Sequence, residues 1–92
     1  MTFFESTARF RACIKQAGLD RTAVFSAMQL AAAAWGQPHL HSGRGIRRLS
    51  PGLYECRLGR DTRLVFLPAR QGLLFDFAGN HDEVRAYLKN RR

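Results

Sequence analysis

Arg57 and Arg63 bracket a turn signal, Gly59-Arg60-Asp61, that separates two apolar runs. If that signal is a three-residue hairpin loop, Leu58 faces Thr62 and Arg57 stands opposite Arg63 on one face of a sheet. Guanidinium forks hold phosphate oxygens in pairs and balance charge that grows at phosphorus, so the chemistry these positions suggest is phosphate chemistry. Like charges set opposite each other repel. They are better tolerated with an anion between them, or with Glu55, diagonal on the same face, as a screen. Arg47 and Arg48 on the preceding run bring at least one further cation to the neighbourhood. The plainer reading is a solvated strand face whose arginine stems cover apolar surface.

His81 comes just after the last apolar run, at the entry to a final helical stretch. There an imidazole, with its pKa near neutrality, can exchange protons with a ribose hydroxyl or a leaving oxygen. A lone histidine beside Asp82 serves equally well as a capping or turn residue. Arg85, a few residues on, can bind phosphate but does not exchange protons. His39 and His41, with His81 as a third ligand, could hold a metal on an extended strand, but no Cys, Asp or Glu lies nearby to complete such a site. Neither a metal nor a cofactor is expected, and residues 36–45 read as a solvated loop.

The elements that must position these side chains follow from the turn signals. Ser50-Pro51-Gly52, Gly59-Arg60-Asp61 and Pro68-Ala69-Arg70-Gln71-Gly72 separate runs at Ile46–Leu49, Leu53–Leu58, Thr62–Leu67 and Leu73–Ala78, which predicts an antiparallel meander. Its alternation puts Cys56, Leu58, Leu64 and Phe66 on the face away from Arg57 and Arg63. Upstream, Thr2-Phe3-Phe4 suits a short strand, and Ser6 or Thr7 can cap a helix running to about Ala17. Phe10, Ile14 and Ala17 form its stripe, and Gly18 gives a left-handed stop. Asp20 caps a second helix, Arg21 to Trp35, whose stripe of Val24, Met28, Ala31 and Trp35 is flanked by Phe25 and Ala32. Met28 and Trp35 read as core rather than as a cofactor box. The alanines from Ala31 to Ala34 allow close approach to the sheet. After His81, Asp82 and Glu83 suit a helix N-terminus, Lys89, Arg91 and Arg92 suit its C-terminus, and Val84, Tyr87 and Leu88 make the apolar stripe. The predicted class is α+β: a small antiparallel sheet with an N-terminal helical hairpin (about 6–35) packed on one face, a loop (36–45), a meander (46–78) and a short C-terminal helix (about 81–91), all in one domain, 1–92.

Composition bounds the function. Ninety-two residues, 46% hydrophobic, support one compact core. Fifteen basic against seven acidic side chains leave a formal charge of +8, and residues 46–92 hold ten of the basic and five of the acidic groups. A surface this basic favours a polyanion or an acidic partner, or serves solubility alone. No signal peptide is evident at the start, and the run Leu30 to Trp35 is too short to span a bilayer. Cys13 and Cys56 form no CxxC pair and read as two buried free thiols in a reducing cytoplasm.

The stretch from Leu53-Tyr54-Glu55-Cys56-Arg57-Leu58-Gly59 through Arg63-Leu64-Val65-Phe66, followed by Gly79-Asn80-His81-Asp82-Glu83-Val84, resembles the signature of the RelE/ParE toxin superfamily. Members typically read Gly-Leu-Tyr-x-x-Arg-Leu-Gly, then Tyr/Thr-Arg-Leu-Val/Ile-Phe, then Gly-x-His-Asp-Glu-Val, and the match covers about half the chain. The resemblance implies the toxin of a type II toxin–antitoxin system, with a helical hairpin on one sheet face and the chemistry on the open one. In the RelE branch it implies a ribosome-dependent endoribonuclease that cuts mRNA in the cytoplasm and arrests translation. There the ribose 2′-hydroxyl attacks the phosphate. Its partners would be the ribosome, mRNA and a cognate antitoxin, with no membrane, as a monomer or a toxin–antitoxin complex. By position, Arg63 matches the arginine that stabilises the transition-state phosphate, Arg57 a basic residue that contacts substrate, and His81 a general acid or base. Arg47, Arg48 and Arg85 would grip RNA. Many members carry a tyrosine where Arg85 stands, and Tyr87 falls on a different helical face. That departure keeps open a non-enzymatic ParE-like toxin acting on DNA gyrase, or an inactive homologue that only binds its antitoxin. A plain nucleic-acid-binding domain, with steeply salt-dependent affinity, is a third option.

Overall fold

Nine elements follow one another in the computed structural model, which describes residues 3–41, 43 and 45–91. Thr2, Ser42, Arg44 and Arg92, assigned above to a strand, a loop and a helix end, lie outside the described residues. The elements are strand β1 (Phe3–Ser6), helices α1 (Ala8–Ala17), α2 (Arg21–Ala34) and α3 (Pro38–His41), strands β2 (Arg47–Ser50), β3 (Leu53–Leu58), β4 (Thr62–Ala69) and β5 (Gly72–Gly79), and helix α4 (His81–Asn90).

Strands β2 to β5 form the expected antiparallel meander, but the sheet as a whole is mixed. Its order is β1-β5-β4-β3-β2, with β1 parallel to β5. A parallel neighbour needs a long crossover, and here everything from α1 to β4 supplies it. Gly72 makes the pairing possible: it lies opposite Phe3, and a Cβ at that position would overlap the Phe3 carbonyl.

Both N-terminal helices begin where a side chain can replace a missing backbone partner. The Thr7 hydroxyl accepts the Phe10 amide and the Asp20 carboxylate accepts the Thr22 amide. Gly18 ends α1 at φ 63, a left-handed conformation that glycine adopts without strain. Helix α1 lies against β5, while α2 lies over β3 and β1. Phe10, Ile14, Val24 and Met28 are buried there with Cys56, Leu64, Phe66 and Phe75. Ala31, Ala32 and Ala34 are buried as well, so the helix comes close to the sheet. Trp35 caps α2 instead of lying within it, and its ring meets Tyr54 and Phe66 edge-on. Phe25 departs from the expected stripe: it is 53% exposed, with its ring tilted against Phe4.

Two turn expectations need correction. Pro68 lies inside β4, paired with Leu73, and the turn is confined to Arg70 and Gln71. The β3 pairing starts only at Tyr54 with Phe66, so no paired β3 carbonyl stands opposite Pro68 to need the N–H that proline lacks. The loop 36–45 contains the short helix α3, whose first residue is Pro38, a position where the absent N–H costs nothing.

The second sheet face buries Leu53 and Val65 against Val84 and Tyr87 of α4, with Leu49, Phe77 and Leu88 at the margin. Helix α4 opens with a capping box in which the Asn80 side chain accepts the Glu83 amide and the Glu83 carboxylate accepts the Asn80 amide, each at 2.8 Å. Among the described residues no helix is long and apolar enough to cross a membrane.

Candidate functional site

The register decides which charges meet. Arg57 pairs with Arg63, Arg63 with Gly79, and Arg47 with Glu55. Strand alternation then puts Arg47, Glu55, Arg57 and Arg63 on the face that α4 covers mainly over β4 and β5. Arg48 pairs with Tyr54, whose ring belongs to the helix-covered core, so Arg48 is on the other face and does not join the group.

Arg57 and Arg63 escape mutual repulsion by diverging. Arg63, with a side chain 24% exposed, brings its Nε to 3.7 Å from Glu55 Oε2. Arg47, far more exposed, holds the same oxygen through its own Nε at 3.3 Å. Glu55 itself is 4% exposed, a carboxylate taken out of water and matched by two guanidinium groups. Arg57 goes the other way. Gly45, at φ +67, lets the Arg57 stem lie against its backbone, since a Cβ on Gly45 would come within 2.7 Å of Arg57 Cβ and 3.0 Å of its Nε. There Arg57 lines a cleft of about 220 Å³ with Ala27, Leu30, Gly43 and Gly59. The second nitrogen of the Arg63 fork, Nη1, is buried and without a hydrogen-bond partner among the described residues.

His81 is the first residue of α4, two positions beyond the Gly79 that pairs with Arg63. The rotation of about 100° per residue in a helix puts His81, Arg85 and Leu88 on one flank of α4. Glu83, Tyr87 and Asn90 occupy the opposite flank, in a groove shared with Arg9. Leu88 packs into the cluster with Leu49, Leu53, Leu67 and Phe77, while His81 and Arg85 on its flank are exposed. The structure thus brings Arg47 and Arg63 together on Glu55, carries Arg57 to the cleft beside α2, places His81 and Arg85 on an exposed flank of α4, and leaves Arg48 behind. His39 and His41 fall within a helical turn instead of a strand, and the His41 ring stacks on Trp35 at 5.5 Å.

A second cluster, not expected from the sequence, is centred on Asp76. The β4–β5 register slips between Val65 and Phe66, which leaves Asp76 as the extra residue of a bulge. Its Oδ2 accepts the Tyr87 hydroxyl at 2.6 Å and lies 3.4 Å from Arg9 Nη1 and 3.9 Å from Arg91 Nη1. The one available signal was a carboxylate inside the apolar run Leu74-Phe75-Asp76-Phe77. Burial, together with the bond to Asp76, pushes the Tyr87 phenol up to about 12. That tyrosine anchors α4 and is not poised to exchange protons. Burial, then the charge of Glu55, raises the Cys56 thiol to about 12, which rules it out as a nucleophile at neutral pH. Cys13 is free and only half-buried.

This architecture, a mixed sheet with a helical pair on one face and a terminal helix on the other, is shared with solved structures of other chains. The crystal structure of YafQ from E. coli superimposes with a TM-score of 0.67 at 16% identity, over 91% of this chain and 98% of that one. The E. coli DinJ–YafQ complex gives 0.66 at 16% identity, over 91% and 98%. The solution structure of the conserved hypothetical protein HP0892 from Helicobacter pylori gives 0.62 at 22% identity, over 91% and 99%. At these identities the likeness is one of fold. No family model matches the chain, and no curated protein matches it significantly.

Proposed function

We propose that this chain is the toxin of a type II toxin–antitoxin pair and acts as an endoribonuclease on mRNA. The observation that carries the proposal is the cationic group of Arg47 and Arg63 on Glu55 with Arg57 opposite Arg63, beside the Gly79 that leads into His81, with Arg63 Nη1 unpartnered among the described residues. The fold is also that of YafQ, which has been crystallised in a complex named as toxin and antitoxin.

The reaction is transesterification within a single RNA strand. The 2′-oxygen attacks the adjacent phosphorus, the hydroxyl proton leaves to a base, the 5′-oxygen departs, and that oxygen takes up a proton. The guanidinium of Arg63, whose side chain is 24% exposed, binds the non-bridging oxygens and offsets the charge that develops on them. His81, at the mouth of α4, takes the proton from the hydroxyl or gives one to the leaving oxygen. Arg57 holds the strand from the cleft side, while Arg47 and Arg85 contact neighbouring phosphates. The ribosome presents the mRNA in the cytoplasm, and an acidic or amphipathic antitoxin segment covers the same cationic face when the toxin is silent.

Mapping cuts in a reporter mRNA during translation tests the assignment residue by residue. Arg63→Ala should slow cutting by about a hundred- to a thousandfold, as expected for loss of a group that stabilises transition-state charge. His81→Gln should slow it by about a hundredfold or more. A change of only a few fold in either variant, with the fold intact, would remove that residue from the mechanism.

A further inference from the structure

We infer that Glu55 is a positioning residue of this site, an inference that rests on the ribonuclease reading: its ion pairs to the Nε of Arg47 and Arg63 hold the partly exposed Arg63 guanidinium in one orientation to receive phosphate. Three observations support it. Glu55 is the one buried charged residue among those described, and it lies on the face that gathers the cations. Both arginines approach a single oxygen of it, Oε2, through Nε, at 3.3 and 3.7 Å. The Arg63 nitrogen left over, Nη1, is buried and has no protein partner among the described residues.

A carboxylate in this position has the wrong sign for holding RNA. It cancels one positive charge of the face that would grip the backbone, and a buried ion pair adds little stability over a well-packed apolar replacement. What it does supply is orientation. With Arg57 turned away into the cleft, a side chain as long as Arg63 would otherwise swing through many rotamers. Glu55 holds the planar fork by one edge and leaves the other edge unused.

Binding and cleavage should therefore move in opposite directions, which a purely structural role would not produce. Glu55→Gln keeps the shape and removes the charge. Its affinity for a short single-stranded RNA, read by fluorescence anisotropy without ribosomes, should equal or exceed wild type. Cutting of reporter mRNA by translating ribosomes should fall by about tenfold or more, and Glu55→Asp should recover part of it. Cutting within about threefold of wild type would overturn the inference. So would affinity, cutting and melting temperature all falling together.

The nitrogen-15-edited NMR signal of the Arg63 Nε–H gives a readout independent of activity. It should be a single sharp line in wild type and broaden or vanish in Glu55→Gln. If wild type cuts no mRNA at all, the ribonuclease reading fails by itself. The Arg63 line then decides whether Glu55 holds the fork, its loss in Glu55→Gln supporting the clamp and its persistence overturning it.

Discussion

A guanidinium and an ammonium carry the same charge but not the same geometry, and Arg63 is where the difference should show. Arg63→Lys keeps a cation but loses the two-pronged contact and the edge turned to Glu55, so it should recover only a small part of the cutting lost in Arg63→Ala. Titration provides a second test among single residues. Tyr87 is raised from 10.0 to about 12 and Cys56 from 9.0 to about 12, both chiefly by burial. Each group is neutral when protonated and is raised on folding. Their contribution to stability is complete below pH 9 and is lost as pH climbs toward 12. Denaturation midpoints should therefore fall across that window, and Cys56→Ala should flatten the early part of the decline; a profile level to pH 12 would contradict it. The opposition of Arg57 and Arg63 was legible in the sequence because a three-residue turn fixes hairpin register. The role of Glu55 was legible only in part. Alternation placed it on the right face as a screen, but its depth depends on how the neighbouring strands and the Arg47 and Arg63 side chains close around it, which is a matter of tertiary packing.

At the scale of elements, two attachments hold the site together. Helix α4 is tied to the β5 bulge by the Tyr87 hydroxyl on Asp76, with Arg9 and Arg91 beside it. Tyr87→Phe should cost about 1–2 kcal/mol in a denaturant melt, since the carboxylate keeps its arginines but loses its shortest bond. The edge strand β1 depends on Gly72, where a Cβ would overlap the Phe3 carbonyl. Gly72→Ala should cost roughly 2 kcal/mol or more and release the β1 amides to hydrogen exchange while those of β3 and β4 stay protected. The meander, the caps at Asp20 and Asn80 and the buried stripe of α4 could be read in advance, because each is specified by residues close in sequence. The parallel docking of β1, the passage of β4 through Pro68 and the bulge at Asp76 could not. Each is decided by a strand distant in the chain: β5 for the first, the short reach of β3 for the second, and the β4 register for the third.

For the molecule as a whole, the excess of positive charge has a direction. Five of the eight net charges arise in residues 46–92, and the register concentrates Arg47, Arg57 and Arg63 on one face of β2, β3 and β4. The helix pair on the opposite face builds the core and contributes Ala27 and Leu30 to the cleft beside Arg57, so the two layers have separate tasks. The central claim is that the open cationic face cuts RNA, and induced expression in a bacterial host tests it most directly, with primer extension on a reporter mRNA and a plasmid-supercoiling assay in parallel. The ribonuclease account predicts growth arrest with discrete cuts in translated mRNA for the wild type, and neither arrest nor cuts for a folded Arg63→Ala. Growth arrest with intact mRNA and altered supercoiling would contradict it and point to gyrase.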